Sequence, residues 1–260
     1  MGYKNIIVER EGAVATITLN RTERRNALTY SMIGEILQAL QEVESNATVR
    51  ALVFTGAGTS FCAGDDIKGM GDLPSPLPPG LSPIAAYQHA LVKAIRHMPK
   101  PVIAALNGYT LGMGLDIAMA CDIRIASDEA MLGEPRIHRA LYVATGSTYL
   151  MPRLIGMTRA IELYFMGEYI TAREAERIGL VTRTVPASEF AQTVRQLAER
   201  FAAGPTKVFG IIKEQVYGQF TMDMEQAMAH MLEIRKRPVE DQREGLLAFA
   251  EKRKPMFVGR

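Results

Sequence analysis

The chain has no tryptophan, only two cysteines and only four histidines in 260 residues. Cys62 and Cys121 are too few for a disulfide framework, so a reducing compartment is the default. His89, His97, His138 and His230 show no ligand spacing, which argues against a metal site. Charge of one sign is also missing: the net charge is +2 and the basic residues are spread out. That argues against nucleic acid or a membrane surface as partner. No long clean apolar run is present either. The best candidate, residues 101–121, is interrupted by Asn107 and Asp116, so no segment reads as a bilayer span. The first twenty residues read as strand rather than as a signal or transit peptide. These absences point to a cytoplasmic location.

What is present is an ordinary globular balance, 48% apolar and 22% charged, enough to bury a large core. Residues 13–19 alternate, with Ala13, Ala15, Ile17 and Leu19 on one face; this is a half-buried strand paired with 4–10 through a turn at Gly12. Leu28, Met32, Ile33, Ile36, Leu37, Leu40 and Val43 fall at helical spacing, with Thr29 as N-cap. ALVFTG (51–56), PVIAAL (101–106) and CDIRIAS (121–127) read as strands, and 84–97 as a helix. Residues 72–83 hold five prolines and read as a loop. From about 145 the pattern turns helical; TARE (171–174) matches a capping box and Gly179 a helix stop. After Gly204-Pro205 the chain reads as helix to about 253. The prediction is an α/β body with a C-terminal helical subdomain.

Familiar nucleotide and hydrolase motifs are absent. Ile117 stands where a third glycine would complete G-x-G-x-x-G after Gly112 and Gly114, and Phe61 does so after Gly56 and Gly58. There is no Walker lysine and no G-x-S-x-G elbow. What remains is a pair of glycine turns, each after a core strand: FCAGDDIKGM (61–70) and NGYTLGMGLD (107–116). Two such turns in one α/β body can point their N–H groups at one oxygen and stabilise an enolate or a tetrahedral oxyanion. The second turn also carries a carboxylate, Asp116, in apolar surroundings, where an unpaired charge costs several kcal/mol. It is either a catalytic base or a structural partner of a nearby arginine.

Several long motifs, in order, resemble the crotonase superfamily, the enoyl-CoA hydratase/isomerase group. They are LNRTERRNAL (19–28), FCAGDDIK (61–68), AALNGYTLGMGLDIAMACDIRIAS (104–127), LGEPRIHRALYVATGSTYLMPRLIG (132–156), GEYITAREAERIGLVTRTVP (167–186) and FAEKRKPMF (249–257). The resemblance implies a ββα spiral over 1–200 carrying an acyl-CoA site, with 201–260 as a helical trimerisation subdomain, assembled as a homotrimer or homohexamer. It implies acyl-CoA thioester substrates and no metal or redox cofactor, coenzyme A entering as part of the substrate. It places the oxyanion N–H donors at Asp65 and Met113. It places CoA contacts at Arg25, Ala63 and Lys68, and at Phe249 and Lys252 of the tail, often reaching a neighbouring subunit's site.

The chain departs from the hydratase pattern at both acid/base positions. The first glutamate is Asp116 here and the second is Arg136, which cannot act as a general acid. Asp116 and Arg136 are the expected catalytic positions, with one-base chemistry through Asp116 in place of two-glutamate hydration. Arg136 is either paired with Glu134 or Asp116, or a clamp for a substrate carboxylate or carbonyl. The Asp65 side chain is expected to face solvent or a neighbour, Asp122 to be structural, and His138 and Tyr142 to be spare acid/base candidates. Arg235, Lys236 and Arg237 read as a solvated cluster. Glutamates at both 116 and 136 are expected to raise crotonyl-CoA hydration. The alternatives are CoA-thioester hydrolysis, decarboxylation or ring chemistry, or a non-catalytic acyl-CoA binding protein.

Overall fold

The structure is a computed structural model that describes residues 2–69, 73, 77 and 80–260. Half of the proline-rich loop expected at 72–83 lies outside the described residues.

The N-terminal hairpin forms as its alternation predicts. Strand β1 (Ile6–Glu11) pairs antiparallel with β2 (Val14–Leu19), and Gly12 takes φ +58° in the turn between them. Ala15, Ile17 and Leu19 face the core. Helix α1 (Tyr30–Ser45) starts at Thr29, whose hydroxyl accepts from the Met32 amide, and it buries Met32, Ile33, Ile36, Leu40 and Val43. Each such side chain contributes about 1.5–3 kcal/mol of burial.

From here the chain repeats one unit: a strand in a first sheet, a short strand in a second sheet, then a helix. The first turn is β3 (Ala51–Gly56), β4 (Ser60–Cys62) and α2 (Ala90–His97). The second is β5 (Val102–Leu106), β6 (Tyr109–Leu111) and α3 (Met113–Ala120). The third is β7 (Ile123–Ser127), β8 (Met131–Gly133) and α4 (Ser147–Ile155). Successive turns stack, so β3, β5 and β7 are parallel neighbours in the first sheet, and β4, β6 and β8 in the second. The central strands read as near-continuous apolar runs because both faces are covered. Phe54, Ala104 and Leu106 pack against the helices of the spiral, while Val53, Ile103, Ala105 and Ile125 pack on the other face against Val194 and Ala198.

Three differences from the sequence reading have local causes. The helix expected at 84–97 forms, but Ile84–His89 is wound as a π-helix before α2 begins. The region after 145 is not purely helical. Helix α5 (Met157–Met166) leads to β9 (Tyr169–Thr171), which closes the second sheet antiparallel to β8. Helix α6 (Ala172–Arg177) leads to β10 (Arg183–Val185), which closes the first sheet beside β7. The Thr171 hydroxyl caps α6 by accepting from the Glu174 amide, but the Glu174 carboxylate pairs with Arg177 instead of completing the box. Both added strands are three residues long, too short to show alternation.

The remaining helices are α7 (Ala187–Ala202), α8 (Thr206–Gly218), α9 (Met224–Arg235) and α10 (Glu240–Ala250). Arg50 anchors the tail, donating to the Thr206 hydroxyl at 3.1 Å and to the Phe257 carbonyl at 2.9 Å. Large apolar side chains on this part stay exposed, among them Met224, Leu232, Leu246 and Phe249. Among the described residues no helix is long and apolar enough to cross a membrane.

Candidate active site

Parallel strands in register finish at one edge. In the second sheet β4 ends at Cys62, β6 at Leu111 and β8 at Gly133, so the segments beginning at Ala63, Gly112 and Glu134 all leave that edge together. The Gly112 amide donates to the Gly133 carbonyl at 3.1 Å and ties the second segment to the third.

The first two segments touch through glycine. Gly64 has φ +100° and Gly112 φ +50°, both in the region that disfavours a side chain. A Cβ on Gly64 would lie 3.1 Å from the Leu111 carbonyl oxygen and 3.6 Å from the Gly112 Cα. The Asp65 amide follows one of these glycines and the Met113 amide, at the first position of α3, follows the other. Neither amide meets a protein acceptor among the described residues. The Leu28 backbone pairs on the far side of Asp65, through its bonds to Gly64 and Asp66. Buried Asn26 holds the strand before this turn, donating to the Ser60 carbonyl at 2.8 Å and the Ala57 carbonyl at 3.0 Å.

Three carboxylates converge on one guanidinium beside these amides. Arg136 donates to Glu134 Oε2 at 2.8 Å, to Asp116 Oδ2 at 3.0 Å and to Asp65 Oδ2 at 3.1 Å. Asp116 Oδ2 also accepts from the Thr145 hydroxyl. Asp65 Oδ1 accepts from Gln88 Nε2 at 2.7 Å, so the Asp65 side chain turns inward, contrary to the expectation that it faces solvent or a neighbour. Arg136 is nearly buried and four of its five N–H donors go to protein carboxylates, which leaves a single Nη1 hydrogen and no free fork to clamp a substrate carboxylate. Asp116 and Glu134 are both buried, and Asp116 Oδ1 and Glu134 Oε1 lack a hydrogen-bond partner among the described residues.

The charges do not cancel, and the carboxyls respond. Burial raises the Asp116 carboxyl above the usual range, against the opposing pull of Arg136 and the Thr145 hydroxyl. Burial pushes Glu134 up to about 7; Arg136 pulls it down, and the anions Asp116 and Asp65 add to the rise. Desolvation alone would lower Arg136, but Asp116, Glu134 and Asp65 together hold it above its ordinary value. Asp116 and Glu134 therefore titrate as a pair across one shared cation.

The other expected positions divide. The Ala63 amide donates to the Arg25 carbonyl at 3.0 Å, and the Arg25 guanidinium lies 5.5 Å from the Tyr109 ring centre, so both sit by the first turn. Lys68 is exposed on the same turn. Phe249 and Lys252 are exposed at the end of α10, with no hydrogen bond or ion pair to the turn residues among the described residues. His138 is tied to the Gly167 carbonyl at 3.1 Å, Tyr142 points to solvent, and Asp122 is structural, accepting from the Val102 amide, Tyr217 and Lys213. Arg237 and Lys236 pair with Glu214 and Glu233. Thr145, Gln88 and Asn26 were not singled out from the sequence; only Thr145 carried a signal, as a hydroxyl in the altered stretch VATGST. Among the described residues no group of three or more His, Cys, Asp and Glu is placed to hold a metal ion.

A family profile described as enoyl-CoA hydratase/isomerase matches residues 9–260. The chain belongs to the enoyl-CoA hydratase/isomerase family. It is 35% identical to the short-chain-enoyl-CoA hydratase of Clostridium acetobutylicum, over 98% of this chain and 97% of that one. It is 34% identical to the 1,2-epoxyphenylacetyl-CoA isomerase of Escherichia coli, over 98% of each. The crystal structure of an enoyl-CoA hydratase from Bacillus anthracis superposes with a TM-score of 0.89 at 32% identity, over 99% of this chain and 100% of that one. The stacked strand–strand–helix turns are thus the crotonase spiral, and the chain is an enzyme of the hydratase/isomerase type whose family implies an acyl-CoA thioester substrate.

Proposed function

We propose that this hydratase/isomerase-family enzyme binds an acyl-CoA thioester with its carbonyl oxygen between the Asp65 and Met113 amides, and that Asp116 moves the proton. Each such donor is typically worth about 10²–10³ in rate. The observation that carries the reading is the asymmetry of Asp116. Its Oδ2 is held by Arg136 and Thr145, while its buried Oδ1 meets no hydrogen-bond partner in the geometry of the described residues, the nearby Ser147 hydroxyl adding only to the pull that lowers the carboxyl. A carboxylate fixed on one oxygen and without a hydrogen bond on the other suits a positioned base. In isomerisation, Oδ1 takes a proton from one carbon, the electron pair moves to the thioester oxygen, and the same proton returns at another carbon. In hydration, Oδ1 takes a proton from water as its oxygen bonds to Cβ, and the enolate then recovers that proton at Cα. Arg136 is a positioning residue, fixing Asp116 without touching the reacting atoms. Arg25, Ala63 and Lys68 line the approach for CoA. The test is a panel of acyl-CoAs assayed for hydration, isomerisation and release of free CoA. Turnover confined to release of CoA would refute the reading.

The pair Asp116–Glu134 gives the reading a pH signature. The base form must be ionised, so kcat/KM rises with pH through an apparent midpoint above the usual carboxylate range. Glu134→Gln removes an anion and leaves Arg136 to Asp116 and Asp65, which lowers the pKa of Asp116. The acid limb of the profile shifts to lower pH in this variant. A change in kcat with the limb in place would mean that Glu134 only packs.

The exposed apolar side chains of α9 and α10, with Phe249 and Lys252, are proposed to bury against neighbouring copies in a trimer or hexamer. Sedimentation at micromolar concentration should show that mass; a monomer would contradict it.

A further inference from the structure

A cavity of about 1100 Å³ lies not at the carboxylate cluster but beside it, between α2, α4 and the helices α8 and α9. Thr145 joins the two. It lines the cavity, and its hydroxyl donates to Asp116. Asp65, Met113 and Asp116 do not line the cavity, so an acyl group held at the two amides would enter this space by passing Thr145.

The cavity wall is chemically uneven. Val92, Leu150, Leu154 and Ile211 supply an apolar strip. Lys93, Arg96, Arg153 and Lys207 supply cations, and none of the four meets a carboxylate among the described residues. The two acids in the wall are already used: Asp122 pairs with Lys213 at 2.8 Å, and Glu214 pairs with Arg237. Among the described residues the excess positive charge therefore has no carboxylate partner.

Arg96 is more than a solvated surface arginine. It is half-buried, and its guanidinium lies 3.3 Å from the centre of the Tyr217 ring. Tyr217 is itself fixed, donating to Asp122 at 2.7 Å. The stack holds one face of the guanidinium and leaves its N–H edge for an acceptor. His89, Lys93 and Arg96 follow at intervals of four and three residues, so they share one face of the helix. His89 contacts the Ala144 carbonyl next to Thr145, and Arg96 lies about 10 Å further along the axis. The ladder runs from the reacting end of the site to the arginine.

We propose that the acyl group of the substrate carries a carboxylate at its far end, bound by Arg96 with Lys93 beside it. The substrate class is then dicarboxylic acyl-CoA thioesters, their methylenes lying on the apolar strip. This rests on the acyl-CoA reading above. It gives half-buried Arg96, held on the Tyr217 ring, an acceptor that the alkyl end of a plain fatty acyl chain would not supply.

Calorimetry on the full chain tests it with free CoA and two matched pairs: hexanoyl-CoA against adipyl-CoA, and octanoyl-CoA against suberyl-CoA. One charge-assisted contact predicts roughly tenfold tighter binding of the dicarboxylic member of at least one pair. That advantage should shrink as salt is raised on the unaltered protein, and vanish in Arg96→Gln while the monocarboxylic Kd stays put. No advantage at either length, with both members binding tighter than free CoA, would overturn the proposal and leave the acyl-CoA reading standing. No acyl-CoA binding tighter than free CoA would overturn both.

Discussion

Asp116→Asn should lower turnover on the best acyl-CoA by about 10²–10⁴-fold, the usual share of a positioned base, with Kd little changed. The side chain keeps its shape, and its carbonyl oxygen still accepts from Arg136 and the Thr145 hydroxyl. Stability should not fall. The Asp116 carboxyl is raised by burial, so its ionised form costs folding free energy wherever the pH exceeds its unfolded value. An amide removes that cost, and Arg136 retains Asp65 and Glu134. Steady-state kinetics, acyl-CoA binding and thermal melting on one preparation separate these effects. Full activity in the variant would return Asp116 to a structural partner of Arg136 and move the search for a base to Glu134.

Arg136→Met should be the most destabilising change at the site. It leaves Asp116, Glu134 and Asp65 facing one another without their shared cation, and breaking a buried pair from one side typically costs about 3–5 kcal/mol. The loss has a definite pH dependence. A carboxyl raised in the folded state binds its proton more tightly there than in the unfolded chain, so its contribution to stability declines as pH climbs from the unfolded value to the folded one. Without Arg136 the Asp116 and Glu134 carboxyls rise further. The variant should therefore lose most at mildly alkaline pH and recover part of its stability towards about pH 5. Urea unfolding at both ends of that range measures it. The same geometry reverses the expectation that glutamates at both 116 and 136 raise hydration. Glutamate at 136 would be a fourth acidic group among Asp65, Glu134 and position 116, and the double variant should be unstable rather than faster.

The sequence carried the fold further than the site. The hairpin and α1 with its Thr29 cap are legible because each shows a full period of its pattern, and the central strands because their residues run together as apolar stretches between turn signals. The strands of the second sheet are three residues long, and three residues hold no period. Yet those strands decide the site, because their shared ends bring three distant segments to one edge. The two glycine turns could be read for the same reason that they meet: Gly64 and Gly112 take backbone conformations that other residues avoid.

Side-chain direction was the part that spacing does not carry. Asp65 looks like one of two adjacent turn aspartates, Asp65 and Asp66. Only the fold shows that Asp65 turns in to Arg136 and Gln88, while Asp66 pairs with Arg21 at 2.9 Å. Arg136 reads equally as a clamp or an internal partner until three carboxylates are seen around it. The contact of Thr145 with Asp116 spans 29 residues and depends on how α4 is entered. The π-wound stretch at Ile84–His89 is hidden because its apolar residues still fit an ordinary helical face.

The central claim is that an enolate forms at the Asp65 and Met113 amides, with Asp116 as the group that takes the proton. Hydrogen exchange at Cα of a bound saturated acyl-CoA, followed by NMR in heavy water, addresses it without knowledge of the natural substrate. The account predicts deuterium entering at Cα with the unaltered enzyme, and exchange abolished in Asp116→Asn while that variant still binds the thioester. Exchange at an undiminished rate in Asp116→Asn, or none with the unaltered enzyme although the thioester is bound, would contradict it.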